Sequence, residues 1–147
     1  MKLHKLITAL VLTLSCSFLV AQQHEVKMLN NGAEGLMVFE PAVLSINPGD
    51  SVVFKATDMS HNSASIAGMI PDGAESWTGA MSQDVTVNFT KEGVYVYQCT
   101  PHSMMAMVGV IKVGAATNLA AVKQKAETQK QSFVMNKERL TAYLSNL

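Results

Sequence analysis

The stretch Cys99-Thr100-Pro101-His102-Ser103-Met104-Met105-Ala106-Met107 decides how this chain reads. It places a thiol, an imidazole and a thioether within one short segment. The flanks on either side, Val94-Tyr95-Val96-Tyr97-Gln98 before it and residues 108–113 after it, are rich in β-branched and aromatic residues and read as strands. Cys99 therefore closes one strand and Val108 opens the next, so the loop between them can turn its donors toward one point. A second imidazole, His61, stands far upstream in Asp58-Met59-Ser60-His61-Asn62. Soft thiolate and thioether donors favour Cu(I), and imidazoles also suit Cu(II). A mixed set of this kind can hold both oxidation states of one copper ion without a large change of geometry.

Taken singly, each residue is weak evidence. A lone histidine is commonly hydrogen-bonded, and a methionine such as Met107, next to Val108, commonly fills an irregular core gap. The placement of three donors in a strand-to-strand loop, with His61 in another loop between earlier strands, makes the combination specific. The donor list of His61, Cys99, His102 and Met107 is that of a blue-copper electron-transfer site.

Outward from that loop, short apolar runs alternate with turn residues. Residues 24–29 precede Asn30-Asn31-Gly32; residues 43–46 precede Asn47-Pro48-Gly49-Asp50; residues 51–56 form another run. Val85, Val87 and Phe89 alternate with polar neighbours before the turn Lys91-Glu92-Gly93. This spacing predicts an all-β antiparallel sandwich or barrel over residues 22–114. Beyond Gly114 the period changes. Asn118 is placed to cap a helix with Leu119, Val122 and Ala126 on one face. A second helix is expected from about Asn136, with Leu140, Tyr143, Leu144 and Leu147 on its apolar stripe. Residues 115–147 are thus expected to be two short helices packed on the sandwich as part of the same domain.

Residues 1–21 have the pattern of a secretory signal: Lys2 and Lys5, an apolar run over residues 6–20, and the small residue Ala21 at the cleavage position. Export, periplasmic in a Gram-negative host, and no membrane attachment after cleavage are the expectation. Cleavage would remove one of the two cysteines and leave Cys99 alone, unable to form an internal disulfide. It would also take Lys2 and Lys5 from eleven basic residues, leaving nine against eleven acidic ones, a net charge of −2 that gives no hint of nucleic-acid binding. About 126 remaining residues suffice for one monomeric domain with its own core. Were cleavage to follow Ala21, Gln22-Gln23-His24 would offer an amine, two amide nitrogens and an imidazole, a set able to wrap Cu(II) or Ni(II) in a square plane. The plainer reading is a polar lead into the first strand.

The chain resembles the cupredoxins, and among them the pseudoazurin family. The likeness rests on Cys99-Thr100-Pro101-His102 with Met107 five residues on, Glu40-Pro41, Asn47-Pro48-Gly49-Asp50, His61-Asn62, Met69-Ile70-Pro71 and the two-helix tail, and spans about residues 25–145. It implies a Greek-key β-sandwich in which His61, Cys99 and His102 bind copper roughly trigonally, with Met107 as a long axial ligand. It also implies that the backbone N–H of Asn62 supports the cysteine sulfur. Pro101, having no N–H, cannot add another donor. Fewer hydrogen bonds would leave the thiolate more electron-rich and lower the potential, while burial would raise it.

The resemblance further implies a non-enzymatic one-electron carrier. It would take electrons from an upstream donor and pass them to a respiratory reductase such as a nitrite or nitrous oxide reductase. A copper enzyme is disfavoured by composition, because only His24 is left for a second centre once His61 and His102 are committed. A copper chaperone or scavenger is the alternative, suggested by ten methionines and by the Met104, Met105, Met107 cluster. Met37, Pro101, Met104 and Met105 are expected to form an apolar docking face around His102. The neighbours Met59, Ser60, Gln98, Thr100 and Ser103 are uncharged, and the lysines gather in the tail at Lys123, Lys125, Lys130 and Lys137.

Overall fold

Alternation of side chains along two strands lays out the molecule. The computed structural model describes residues 20–147, so residues 1–19 of the expected secretory signal lie outside it. Eight strands follow in order: β1 (Gln23–Gly32), β2 (Gly35–Glu40), β3 (Val43–Ile46), β4 (Ser51–Lys55), β5 (Ala64–Ser65), β6 (Val85–Asn88), β7 (Gly93–Gln98) and β8 (Val108–Val113). Two helices close the chain, α1 (Leu119–Gln129) and α2 (Arg139–Ser145). The strands form two four-stranded sheets, ordered β2-β1-β4-β6 and β3-β8-β7-β5. Successive side chains of a strand point to opposite faces. Tyr95 and Tyr97 of β7, with Ile111 and Val113 of β8, therefore enter the core between the sheets, where Val26, Met28, Phe39, Val52, Phe54 and Phe89 meet them. Val94, Val96, Val108 and Val110 face the other way and pack with Val122, Ala126, Phe133, Leu140, Tyr143 and Leu144 of the tail.

The second sheet is therefore covered on both faces, which explains why β7 reads as a nearly continuous apolar run. The tail is a cover, as its sequence suggests. With seven residues, α2 is far too short to be stable alone. Burial of Leu140 and Leu144, about 1.5–3 kcal/mol each, holds it in place. Among the described residues no helix is long and apolar enough to cross a membrane.

Several local expectations need correction. The sandwich is not wholly antiparallel: β1 pairs with β4 and β3 with β8 in parallel. The members of each pair are joined by chain that passes through the other sheet, so the tight-hairpin reasoning for antiparallel pairing does not apply. Asn30-Asn31-Gly32 is not a turn; β1 runs through Gly32, and the turn lies at Ala33-Glu34. Strand β2 shows no clean alternation, because Met37 adopts a positive φ of 50° and leaves Val38 and Phe39 both buried. Asn118 precedes α1 but makes no cap bond. Its Oδ1 accepts the Val94 N–H at 2.7 Å and its Nδ2 donates to the Val94 carbonyl at 2.9 Å, so it fastens the tail to β7. The last helix begins at Arg139 rather than near Asn136, whose φ of 50° interrupts helical geometry.

Asp50, 2% exposed, clasps the start of the sandwich. It accepts the N–H groups of Gln22 at 2.8 Å and Asn47 at 2.9 Å, and pairs with His24 Nε2 at 3.0 Å. Gln23 and His24 already pair with Ser51 and Val52 in the ladder. A square-planar chelate at this terminus would have to free His24 from Asp50 and peel β1 away. The N–H groups of Gln22 and Asn47, then His24, lower the Asp50 carboxyl to about 2. A depressed carboxylate stabilises the fold above its unfolded value of 3.8 and loses that contribution as pH falls through about 2. Urea midpoints measured from neutral pH downward should therefore drop steeply across that window. Asp50→Asn should be less stable at neutral pH and show a flatter profile there.

Candidate metal centre

Parity along β7 sends Cys99, just past its end, into the space between the sheets, and Met107, just before β8, arrives from the same side. The Cys99 N–H donates to the Met107 carbonyl at 2.9 Å, and the Met107 N–H donates to the His102 carbonyl at 3.3 Å. The loop is thus closed on itself and presents three of the expected donors together. His61 comes from the β4–β5 connection, which leaves the first sheet and enters the second. Its Nδ1 lies 3.6 Å from Cys99 Sγ and 3.1 Å from His102 Nδ1, and His102 Nδ1 lies 3.4 Å from Cys99 Sγ. A point equidistant from these three atoms is about 2.0 Å from each, the length of a metal–imidazole bond and slightly short of a metal–thiolate one. The residues present therefore fit a copper ion in size and in donor chemistry. Among the described residues this is the one group of three or more His, Cys, Asp or Glu side chains able to hold a metal.

His61, Cys99 and Met107 are fully buried, and His102 is half-buried, so only one ring of the set reaches the surface. Burial, and then the neighbouring His102, hold the His61 imidazole below its ordinary value, which favours the neutral ring that a metal needs. Burial raises the Cys99 thiol, while the N–H groups of Asn62 and His102 pull it back down. The His102 N–H itself donates to the Cys99 carbonyl at 3.2 Å.

The supporting residues were only partly legible in the sequence. The Asn30 side-chain oxygen accepts from His61 Nε2 at 3.0 Å, which leaves Nδ1 with its lone pair toward Cys99. Asn30 itself is held by its N–H donating to Asp58 Oδ2 at 2.7 Å. Asn62 Oδ1 accepts the Thr100 N–H at 2.8 Å, and its Nδ2 donates to Thr100 Oγ1 and to the Gly79 carbonyl, both at 3.2 Å. The Ser82 N–H donates to the His61 carbonyl at 2.7 Å, and the Ser60 N–H to Ser82 Oγ at 2.8 Å. Of these, only Asn62 carries a signal in the sequence, as the residue that follows His61. Asn30 reads there as a turn residue, and no local signal links it to His61.

Met104 is 60% exposed, and Met59, Met81, Leu36, Val134 and Met135 are exposed as well, whereas Met37 and Met105 are half-buried. The Ser60–Ser82 bond brings the Met59 and Met81 loops together, and the Met104 carbonyl accepts the N–H groups of Val134 at 2.7 Å and Met135 at 3.4 Å.

A family model described as copper binding proteins, plastocyanin/azurin family, matches residues 26–114. The chain is 48% identical to a pseudoazurin of Methylorubrum extorquens over 104 residues, 70% of each chain. It is 41% identical to a pseudoazurin of Paracoccus pantotrophus over 128 residues, 86% of this chain and 85% of that one. The refined crystal structure of pseudoazurin from Methylobacterium extorquens AM1 superposes with a TM-score of 0.74 at 41% identity, covering 84% of this chain and 98% of the other.

Asn30→Ala would free the His61 ring while touching little of the core. Loss of such a supporting hydrogen bond is expected to weaken copper binding about 10–100-fold, read by competition with a chelator, with the far-ultraviolet dichroism of the sandwich unchanged.

Proposed function

This chain belongs to the copper-binding plastocyanin/azurin family, and within it to the pseudoazurins, and from that premise we propose that it is an exported one-electron carrier whose single copper would be held by His61, Cys99 and His102, with the Met107 thioether as the weakest donor. The observation that carries this reading is the triangle of Cys99 Sγ, His61 Nδ1 and His102 Nδ1, with sides of 3.6, 3.4 and 3.1 Å. Copper bound there supplies one reversible electron between Cu(I) and Cu(II). The chain's own part is to hold the donors. Asn30 fixes the His61 ring, Asn62 ties the His61 loop to Thr100, and the Cys99–Met107 backbone bond closes the lower loop. Few groups then need to move when the charge at the site changes. The half-buried edge of His102, set in the exposed apolar face, is the exit route for the electron.

The same geometry speaks against the alternatives. A copper enzyme needs an open coordination position or a second metal. His24, the one other histidine among the described residues, is engaged by Asp50. A copper-delivering chaperone needs ligands that a partner can reach, and Cys99 and Met107 are both 0% exposed.

The acceptor we propose is a respiratory reductase such as a nitrite or nitrous oxide reductase, with the carrier in the periplasm and monomeric. The residues facing such a partner are Met104, Met59, Met81 and Val134. Lys130, one of the tail lysines, is paired with Glu127 at 2.8 Å. Recognition then rests on apolar contact rather than on a long-range field.

The visible spectrum tests the copper reading directly. The Cu(II) protein should show an intense charge-transfer colour that bleaches reversibly with ascorbate, and Cys99→Ser should lose it while keeping the sandwich. Intense colour surviving in Cys99→Ser would reject the ligand set. Met107→Leu should stay coloured and have a higher potential, since a donor that favours Cu(II) is lost. Stopped-flow rates with the reductase should change little across a salt series. A fall of about tenfold toward physiological salt, within the range that steering produces, would show instead that distant lysines form a ring around the face.

A further inference from the structure

The tail does more than cover the sheet. Three successive carbonyls of the ligand loop are each taken by a tail residue. Met104 accepts the Val134 N–H at 2.7 Å, Met105 accepts Asn136 Nδ2 at 3.4 Å, and Ala106 accepts Arg139 Nη1 at 3.0 Å. The same Nη1 donates to the Met37 carbonyl at 3.0 Å, while Nη2 donates to Leu36 at 3.3 Å and Glu34 at 3.5 Å. One guanidinium, on the first residue of α2, therefore joins the ligand loop, the β1–β2 turn and the start of β2. The two carbonyls that share Nη1 belong to residues with left-handed backbone, Ala106 at φ 57° and Met37 at φ 50°. Neither is glycine, so each conformation carries strain that its surroundings must hold. Ala106 immediately precedes Met107, and its ψ of 40° sets the direction in which the chain delivers that residue.

We propose that Arg139 is a positioning residue for the metal centre. By donating from Nη1 to the left-handed carbonyls of Ala106 and Met37 while Nη2 holds Leu36 in the same plane, it fixes where the Met107 thioether sits relative to Cys99 and His102. A lysine could supply the charge but has no second nitrogen fixed in the same plane, so it could not hold Ala106 and Met37 from one side and Leu36 from the other. The proposal rests on the copper-carrier reading for its effect on potential, but the restraint on residues 104–107 exists whether or not a metal is bound.

The test uses the full chain with Arg139→Lys and Arg139→Gln, and reads two quantities. In the metal-free proteins, amide exchange at Ala106 and Met107 should accelerate about tenfold, equivalent to about 1.4 kcal/mol of lost restraint. Exchange at Val26 and Val52 in the inter-sheet core should stay as in the parent chain. In the Cu(II) proteins, the relative intensities of the charge-transfer bands and the midpoint potential should shift, and Arg139→Lys should not restore them. Adding Ala106→Gly, which removes the strain at that position, should make the Arg139→Gln change smaller. Unaltered loop exchange and an unaltered spectrum in both variants would overturn the proposal. So would parallel loss of protection in loop and core, or failure of both variants to fold, since Arg139 would then serve the fold as a whole. A parent protein that never becomes coloured would instead refute the copper reading, and the exchange data would still decide whether the clamp exists.

Discussion

The bond from the Thr100 N–H to Asn62 Oδ1, 2.8 Å long, is the contact on which the site depends. Asn62 follows His61 in a segment that leaves the first sheet, and Thr100 follows Cys99 at the end of a strand of the second. Neither donor can be placed without its own sheet, and the two sheets meet through a core that includes Phe39, Phe54, Phe89, Tyr95 and Tyr97. Aromatic contacts such as Phe39–Tyr97, with centroids 4.7 Å apart, and Phe54–Tyr97, at 4.9 Å, lock that core into one arrangement. The spacing of a few donor atoms is in this way a property of the whole sandwich. That is what a centre must have if its geometry is to resist a change of charge.

Packing also explains why the tail is part of the machinery. A nearly continuous apolar strand such as β7 is stable only if both of its faces are covered. Helices α1 and α2 supply the second cover with Val122, Ala126, Leu140 and Leu144. Once placed there, residues 134–139 lie along the ligand loop and take its carbonyls. Burial fixes the helices, and the helices in turn restrain the loop.

The three candidate donors of the lower loop and most strands are legible because their signals are local. Cys99, His102 and Met107 share one loop, and β7 and β8 are marked by dense β-branched residues on either side of it. The β5 strand, two residues long, carries no periodicity to read. In β2 the left-handed Met37 removes the alternation that would have revealed it. Asn118 has the right position for a helix cap, yet two bonds to Val94 outweigh a cap in this setting. Asn30 and Arg139 were invisible for a different reason. The first acts on His61 from 31 residues away and the second on Met37 from 102 away, and nothing near either residue announces the partner.

Copper-edge X-ray absorption on the oxidised and reduced protein tests the central claim, a donor set held in place by the fold, most directly. The expected result is one short sulfur and two nitrogen neighbours in both states, with nearly unchanged distances. A first shell lacking the short sulfur, or one that exchanges ligands between Cu(II) and Cu(I), would contradict it.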